Sequence, residues 1–175
     1  MVRSGDPNNL EALAARVYWQ HWLPEEAFRR DADLDGLNSL LNYGYAVVRA
    51  AIARAIVAAG LLPSLGLHHS NRSNAFCLAD DLIEPRRPLV DDRARELYRQ
   101  GYDSLTSEAK AGLLRLLADD VQLADETGPL MVQLHRFVAS LVKCFQGAAK
   151  ELVFPEMLDE PAATADQPAL AATGS

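Results

Sequence analysis

The stretch "LNSLLNYGYAVVRAAIARAIVAAGL", residues 37–61, decides the fold of this chain. Its apolar residues recur at three- and four-residue spacing from Leu37 to Ile56, which is the period of an α-helix. Small residues are dense along the segment, so other helices could pack closely on several of its faces. Gly60 provides a C-cap, and the proline that follows blocks continuation. We therefore predict a central, largely buried helix over residues 36–59.

Helical spacing recurs on both sides of this segment. We predict further helices over residues 8–23, from Ser73 or Asn74 to Pro85, and over about 89–100, 107–118 and 129–150. No alternation typical of a strand runs for more than a few residues. The final stretch "LDEPAATADQPALAATGS" is poor in large apolar residues, which predicts disorder. The expected fold is all-α, with one compact multi-helix domain over residues 1–157 and a disordered tail over 158–175.

Charge and hydropathy limit the classes of function. The net charge of the 175 residues is −7, which argues against simple coating of nucleic acid. Most of this acidity lies after residue 100, and the first hundred residues contain Arg but no Lys. No uncharged run of eighteen apolar residues and no signal-peptide core is present, so we expect a cytoplasmic protein without a membrane span.

A second stretch, "GLHHSNRSNAFCLADDLIEP" (residues 66–85), places histidines close to carboxylates. It is either a capped surface loop or half of a metal site. A loop folded back on a helix can bring His69 and Asp81 together, and imidazole with carboxylate suits Mn²⁺, or Mg²⁺ with more oxygen ligands. A third ligand would be needed, and Glu11 is the candidate, early on an otherwise apolar helix.

The central helix also contains the polar segment "NYGYA", residues 42–46. Buried Asn42, Tyr43 and Tyr45 side chains would need hydrogen-bond partners. They either make hydrogen bonds between helices or form the wall of a site.

Several stretches together resemble the C-terminal helical domain of Cas1, the CRISPR-associated integrase and endonuclease of spacer acquisition. They are "GDPNNLEALAARVYW" (5–19), "FRRD" (28–31), the central helix (37–61), the histidine stretch (66–85) and "RPLVD" (87–91). They occur in the family's order, cover roughly residues 5 to 155, and are most similar to the type II branch.

The resemblance implies a metal-dependent nuclease site. By motif position, Glu11, His69 and Asp81 would be the catalytic ligands of Mg²⁺ or Mn²⁺, with the second histidine of the pair as the ligand. The positions implied to support this site or the substrate are Asn42, Tyr43, Tyr45 and Glu84. The arginines that could meet DNA phosphates are Arg72, Arg86 and Arg87.

The resemblance also implies a reaction and partners. In the family, the 3′-hydroxyl of a short DNA fragment attacks a phosphodiester at the CRISPR repeat, in complex with the small partner Cas2. Isolated members also cleave branched or single-stranded DNA. We therefore expect an enzyme of antiviral defence that binds DNA.

Two departures from the family leave alternatives open. The usual N-terminal β-rich domain, which makes the family's homodimer, is expected to be absent from these residues, so a homodimer is in doubt. The chain is then either a catalytic domain or a shortened relative that acts only as a helical binding module. Arg86 stands where the family usually has an aromatic residue, and it either extends a basic surface or loosens packing.

Overall fold

A computed structural model describes residues 10–23, 28–68 and 71–157, apart from the side chains of Glu11 and Met157. The predicted helices are present, with ends that differ by a few residues. They are α1 (Leu10–Trp22), α2 (Leu37–Ala58), α3 (Cys77–Ile83), α4 (Arg87–Arg99), α5 (Ser107–Arg115) and α6 (Leu130–Phe145), with 3₁₀ turns at Glu84–Arg86 and Leu116–Ala118. The predicted tail at 158–175 lies outside the described residues.

Helix α2 is the centre of the fold, as its sequence predicts. It packs against α3, α4, α5 and α6. Gly60, at φ 77°, takes the left-handed conformation that ends the helix, and its N–H donates to the Val57 carbonyl. By length and composition α2 could also cross a membrane, a test that core helices of soluble proteins pass as well, and half of its most apolar window is buried in the fold.

The apolar core consists of two clusters that share α2. The C-terminal half of α2, with Val48, Ile52 and Ile56, packs with α3, α6 and the apolar residues around Phe137. The N-terminal half, with Leu40, packs with α4, α5 and the end of α1. A single helix therefore fixes the relative position of all the elements around it, because each of them buries apolar surface against it.

Helices α2 and α4 come unusually close at Gly44. A Cβ atom at this position would lie 2.5 Å from Cγ1 of Val90, which is itself fully buried. Glycine is therefore needed here for close approach of the two helices. The contact also brings the residues that follow, Tyr45 and Asp91, next to each other.

A small sheet corrects the all-α prediction. Strands β1 (Asp120–Leu123), β2 (Glu126–Pro129) and β3 (Glu156–Met157) form an antiparallel sheet in the order β2-β1-β3. The first two strands have four residues each, too short for a clear alternation, and β3 pairs from more than thirty residues away. Helix α6 also ends at Phe145 rather than near residue 150.

Candidate active site

Asp81 anchors the histidine loop, the segment between α2 and α3 that contains Leu67 and His68, to α3. Oδ2 of Asp81 accepts the backbone N–H groups of Leu67, at 2.5 Å, and of His68, at 3.0 Å. A carboxylate with two backbone donors is a strong, charge-assisted anchor. The loop is therefore held against α3, as a loop folded back on a helix.

The other two predicted ligands, His69 and Glu11, lie wholly or partly outside the described residues. His69 lies outside the described residues, and Glu11 lies on the first turn of α1 with its side chain outside the described part. Among the residues that the structure describes, no group of three or more His, Cys, Asp or Glu side chains could hold a metal ion. Convergence of Glu11, His69 and Asp81 therefore stays a prediction.

A second carboxylate, Glu84, lies three residues beyond Asp81. Residues three apart on a helix share a face. Glu84 opens the 3₁₀ turn that joins α3 to α4 and accepts a hydrogen bond from Arg87 at 2.8 Å. Both partners of this ion pair are about half exposed, so Glu84 is accessible from solvent.

The first acid of the Asp-Asp pair has a different role. Asp80 binds the guanidinium of Arg49 on α2 through both carboxylate oxygens, at 2.5 and 2.9 Å. The side chain of Asn74 donates to Asp80 at 2.6 Å, and its Oδ1 accepts the backbone N–H of Phe76. The ion pair between Arg49 and Asp80 joins α3 to α2, so Asp80 has a structural contact that is separate from the predicted ligands.

Two side-chain hydrogen bonds attach helix α1 to α4. The Tyr18 hydroxyl donates to Oδ2 of Asp91 at 2.7 Å, and Arg95 donates to the Trp22 carbonyl at 3.0 Å. Both contacts join residues 73 positions apart in the chain. The equal offset indicates that the two helices run in the same general direction over this one turn.

Asp91 is the charged residue at the centre of this contact. Its side chain is 2% exposed, and it accepts hydrogen bonds from Tyr18 on α1 and, over a very short distance, from Tyr45 on α2. Burial raises the pKa of the Asp91 carboxyl, and the two phenols oppose that rise. Burial, together with the neighbouring Asp91 carboxylate, raises the pKa of both tyrosines well above their usual value.

The polar segment of α2 makes hydrogen bonds and also lines a cleft. Oδ1 of Asn42 accepts from Arg30 at 2.5 Å, and its amide donates to the Ala32 carbonyl at 2.9 Å. Tyr43 is half-buried in the second core cluster. A cleft of about 250 Å³ is lined by Asn42, Tyr45, Ala46, Arg49, Asp80, Ile83 and Arg87. The interpretation as hydrogen bonds between helices is confirmed for Tyr45, which donates to Asp91 on α4, and the interpretation as the wall of a site stays a prediction.

The three predicted DNA-contacting arginines lie in different surroundings. Arg72 is exposed in the loop before α3. Arg87 is exposed at the start of α4, with its guanidinium 5.0 Å from the centre of the Tyr45 ring. The Arg86 guanidinium lies 4.9 Å from the centre of the Phe154 ring, and burial lowers its pKa. Arg86 thus packs on an aromatic ring near the C-terminal end of the described chain.

Sequence reasoning missed Asp91, Tyr18 and Arg49. Asp91 precedes Ala94 and Leu97 at helical spacing, which is a signal for the buried face of α4. The adjacent Asp92 obscures this signal, because two consecutive aspartates are typical of a solvated helix face. Tyr18 and Arg49 had no partner nearby in the sequence, because their contacts come from other helices.

Comparison with known proteins gives consistent results. Residues 8–113 match the family model described as CRISPR associated protein Cas1. The CRISPR-associated endonuclease Cas1 of Neisseria meningitidis serogroup C is 40% identical over 164 residues, which are 90% of this chain and 52% of that protein. An endonuclease Cas1 of Pyrobaculum aerophilum is 34% identical over 142 residues, covering 76% of this chain and 46% of that protein. This chain therefore spans about half the length of these curated relatives.

A solved structure shares the fold. A casposase bound to integration product matches with a TM-score of 0.70 at 22% sequence identity, over 85% of this chain and 50% of that chain. At this identity the likeness concerns the fold alone.

Proposed function

This chain belongs to the Cas1 family, and from that premise we propose that it carries the metal-dependent phosphodiester chemistry of spacer acquisition. The proposed reaction joins the 3′-hydroxyl of a short DNA fragment to the CRISPR repeat, in the cytoplasm and together with Cas2. Cleavage of branched DNA is the same chemistry with water as the nucleophile. Homologues named endonuclease and the integration complex of the casposase support this proposal at the level of the family and the fold.

The observation that carries the proposal is the anchor between Asp81 and the histidine loop. The N–H of His68 is bound to Asp81, and His69 follows at one Cα–Cα step of about 3.8 Å. Asp81 thereby holds the backbone of the histidine loop beside α3. This arrangement is what a site with one histidine ligand requires.

The position of Glu11 on α1 supports it as the ligand from this helix. Glu11 lies seven residues before Tyr18, two helical turns away on nearly the same face, and Tyr18 donates to Asp91 on α4. We propose that Glu11, His69 and a carboxylate of Asp81 or Glu84 form a set of oxygen donors with one imidazole. This set fits Mn²⁺ or Mg²⁺.

The roles of the residues follow from this arrangement. Glu11 and His69 would bind the cation, with Asp81 as the third ligand and Glu84 beside it. Asp81 also orients the loop, because its Oδ2 already accepts two N–H groups. When bound, the cation supplies Lewis-acid stabilisation of charge on the phosphoryl group and lowers the pKa of the attacking hydroxyl. Arg72 and Arg87, both exposed, would contact DNA phosphates.

The test is cleavage of a branched DNA duplex with Mn²⁺ by the chain and its variants. Glu11→Gln and His69→Ala should each lower the rate more than about 100-fold, since even outer-shell partners of a metal site contribute 10–100-fold. Asp125→Asn, in the exposed turn between β1 and β2, is the matched acidic control and should leave the rate unchanged.

Comparison of Asp81→Asn with Glu84→Gln separates the two carboxylates. An asparagine at position 81 keeps an oxygen that can accept the loop N–H groups but weakens a metal ligand. Loss of activity in Asp81→Asn alone supports Asp81 as the ligand, and loss in Glu84→Gln alone assigns that role to Glu84. A folded wild-type chain without any cleavage would contradict the proposal and favour a helical binding module.

A further inference from the structure

We propose that Asp91 and Tyr18 are positioning residues, which fix the rotation and tilt of α1 and so place Glu11 for the reaction. This inference rests on the proposed function, in which Glu11 binds the metal. It concerns how the ligand is held and not which residues are ligands.

Helix α1 is packed mainly at its C-terminal end. Trp22 and Leu23 are buried, and Trp22 packs edge-to-face against Trp19 and at a tilt against Phe28, with ring centres 5.1 and 5.3 Å away. In the first part of the helix, by contrast, the described side chains from Leu10 to Val17 are all exposed. Apolar packing therefore holds the end of α1 that is farther from Glu11.

Tyr18 lies between the packed end and Glu11. It is seven residues after Glu11, which is two helical turns and about 10.5 Å along the axis. Residues seven apart share nearly the same face. The side of α1 that Tyr18 turns toward α4 is therefore also the side on which Glu11 stands.

The Asp91 carboxylate, which accepts the hydrogen bond from Tyr18, is itself held firmly in place. The carboxylate is almost fully buried and is also bound by Tyr45 from α2, the best-packed helix of the fold. Val90, the neighbour of Asp91, is in van der Waals contact distance of α2 at Gly44. Tyr18 thus connects α1 to a group that itself cannot move without disturbing the core.

A small change in the tilt of α1 at Tyr18 becomes a large displacement at Glu11. A tilt of about 10° about Tyr18 would displace the helix at residue 11 by about 2 Å over this length. Metal–ligand distances tolerate changes of only about 0.2 Å. A directional hydrogen bond, which apolar packing does not provide, is therefore needed to keep the ligand in place.

The experiment compares Tyr18→Phe with Tyr102→Phe, a half-buried tyrosine of the second core cluster, in the full chain. Binding of Mn²⁺ is measured from the electron paramagnetic resonance signal of the free ion, and exchange of the α1 amides from hydrogen–deuterium exchange. Tyr18→Phe should weaken Mn²⁺ binding about tenfold and accelerate exchange over residues 10–17. Tyr102→Phe should change neither.

A double-mutant cycle distinguishes positioning from general destabilisation. If Tyr18 acts through Glu11, then Tyr18→Phe has no further effect on Mn²⁺ binding in the Glu11→Gln background. Equal weakening in both backgrounds, or unchanged exchange of α1, would overturn the proposal. Where Tyr18→Phe destabilises the fold, Asp91→Asn, which keeps the side-chain shape, is tested in the same cycle.

Failure of the proposed function gives a different result. Mn²⁺ binding that survives Glu11→Gln would overturn the metal site and this inference with it. Mn²⁺ binding that is weakened by Glu11→Gln but unaffected by Tyr18→Phe would overturn only the positioning role.

Discussion

Helices α2 and α1 show how differently two helices of one small fold can be held. Helix α2 is surrounded by four helices and contributes to both core clusters. Helix α1 buries apolar surface at its C-terminal end and is otherwise attached through polar contacts to Asp91 and Arg95. The proposed ligand Glu11 lies on the less packed helix. Stability and the proposed chemistry therefore depend on different parts of the molecule.

The largest difference is expected from truncation of apolar residues on the two helices. Ile52→Ala, at a fully buried position of α2, should lower the free energy of unfolding by about 2–5 kcal/mol. Val17→Ala, at a 48% exposed position of α1, should change it by no more than about 0.5 kcal/mol. Urea denaturation followed by circular dichroism measures both, and equal losses would show that α1 is packed as tightly as α2.

A smaller effect is expected at the close approach of α2 and α4. Gly44→Ala should destabilise by about 1–3 kcal/mol, because the new methyl meets the rigid, buried side chain of Val90. Gly112→Ala is the control, since its methyl meets the terminal methyl of Leu97, which can rotate away, and alanine favours the helix by about 1 kcal/mol. If Gly44→Ala left the free energy of unfolding nearly unchanged, α2 and α4 could move apart without loss of stability.

The two phenols that share Asp91 should differ in their contribution to stability. Tyr45→Phe removes a donor from a buried carboxylate and should cost about 1.5–3 kcal/mol. Tyr18→Phe should cost less, because Tyr18 is 39% exposed and water can replace its hydroxyl. Thermal denaturation of the two variants tests this order, and a larger loss in Tyr18→Phe would contradict the contrast between the helices.

The smallest effect concerns alkaline pH. The folded-state pKa of Tyr18 and Tyr45 is raised above the ordinary value of 10.0, so their contribution to stability is complete below pH 10 and is lost as the pH rises above it. For Tyr45 the decline should be roughly 1 kcal/mol per pH unit. Denaturation at pH 8 to 11 should show this slope in wild type and in Tyr102→Phe. The slope should fall in Tyr45→Phe, where only Tyr18 of this pair still contributes, and an undiminished slope in that variant would argue against the assignment.

Much of the fold could be predicted because its signals are local. The period of α2 and Gly60 at its end indicate one long helix, and the other helices follow from the same spacing. The sheet could not be predicted in this way, since β1 and β2 are four residues long and β3 joins them from a distant part of the chain. Non-local pairing leaves no periodic trace in so few residues.

The candidate site depends on contacts that the sequence cannot show. Asp81 accepts the backbone N–H groups of Leu67 and His68, a contact between loop and helix that the sequence left open. Convergence with Glu11 and His69 stays a prediction. Arg86 was considered for DNA contact, but its guanidinium packs on Phe154, a partner 68 residues away that the sequence could not indicate.

The sequence by itself determined the helical class, the central position of α2 and the motifs that identify the family. These are properties of residue type and spacing, which act over one or two helical turns. Only the tertiary structure decided which of two adjacent aspartates is buried, that Tyr18 and Tyr45 meet on Asp91, and how α1 lies along α4. The physical reason is that a buried carboxylate requires donors, and here they come from two helices distant in sequence, which only packing brings together.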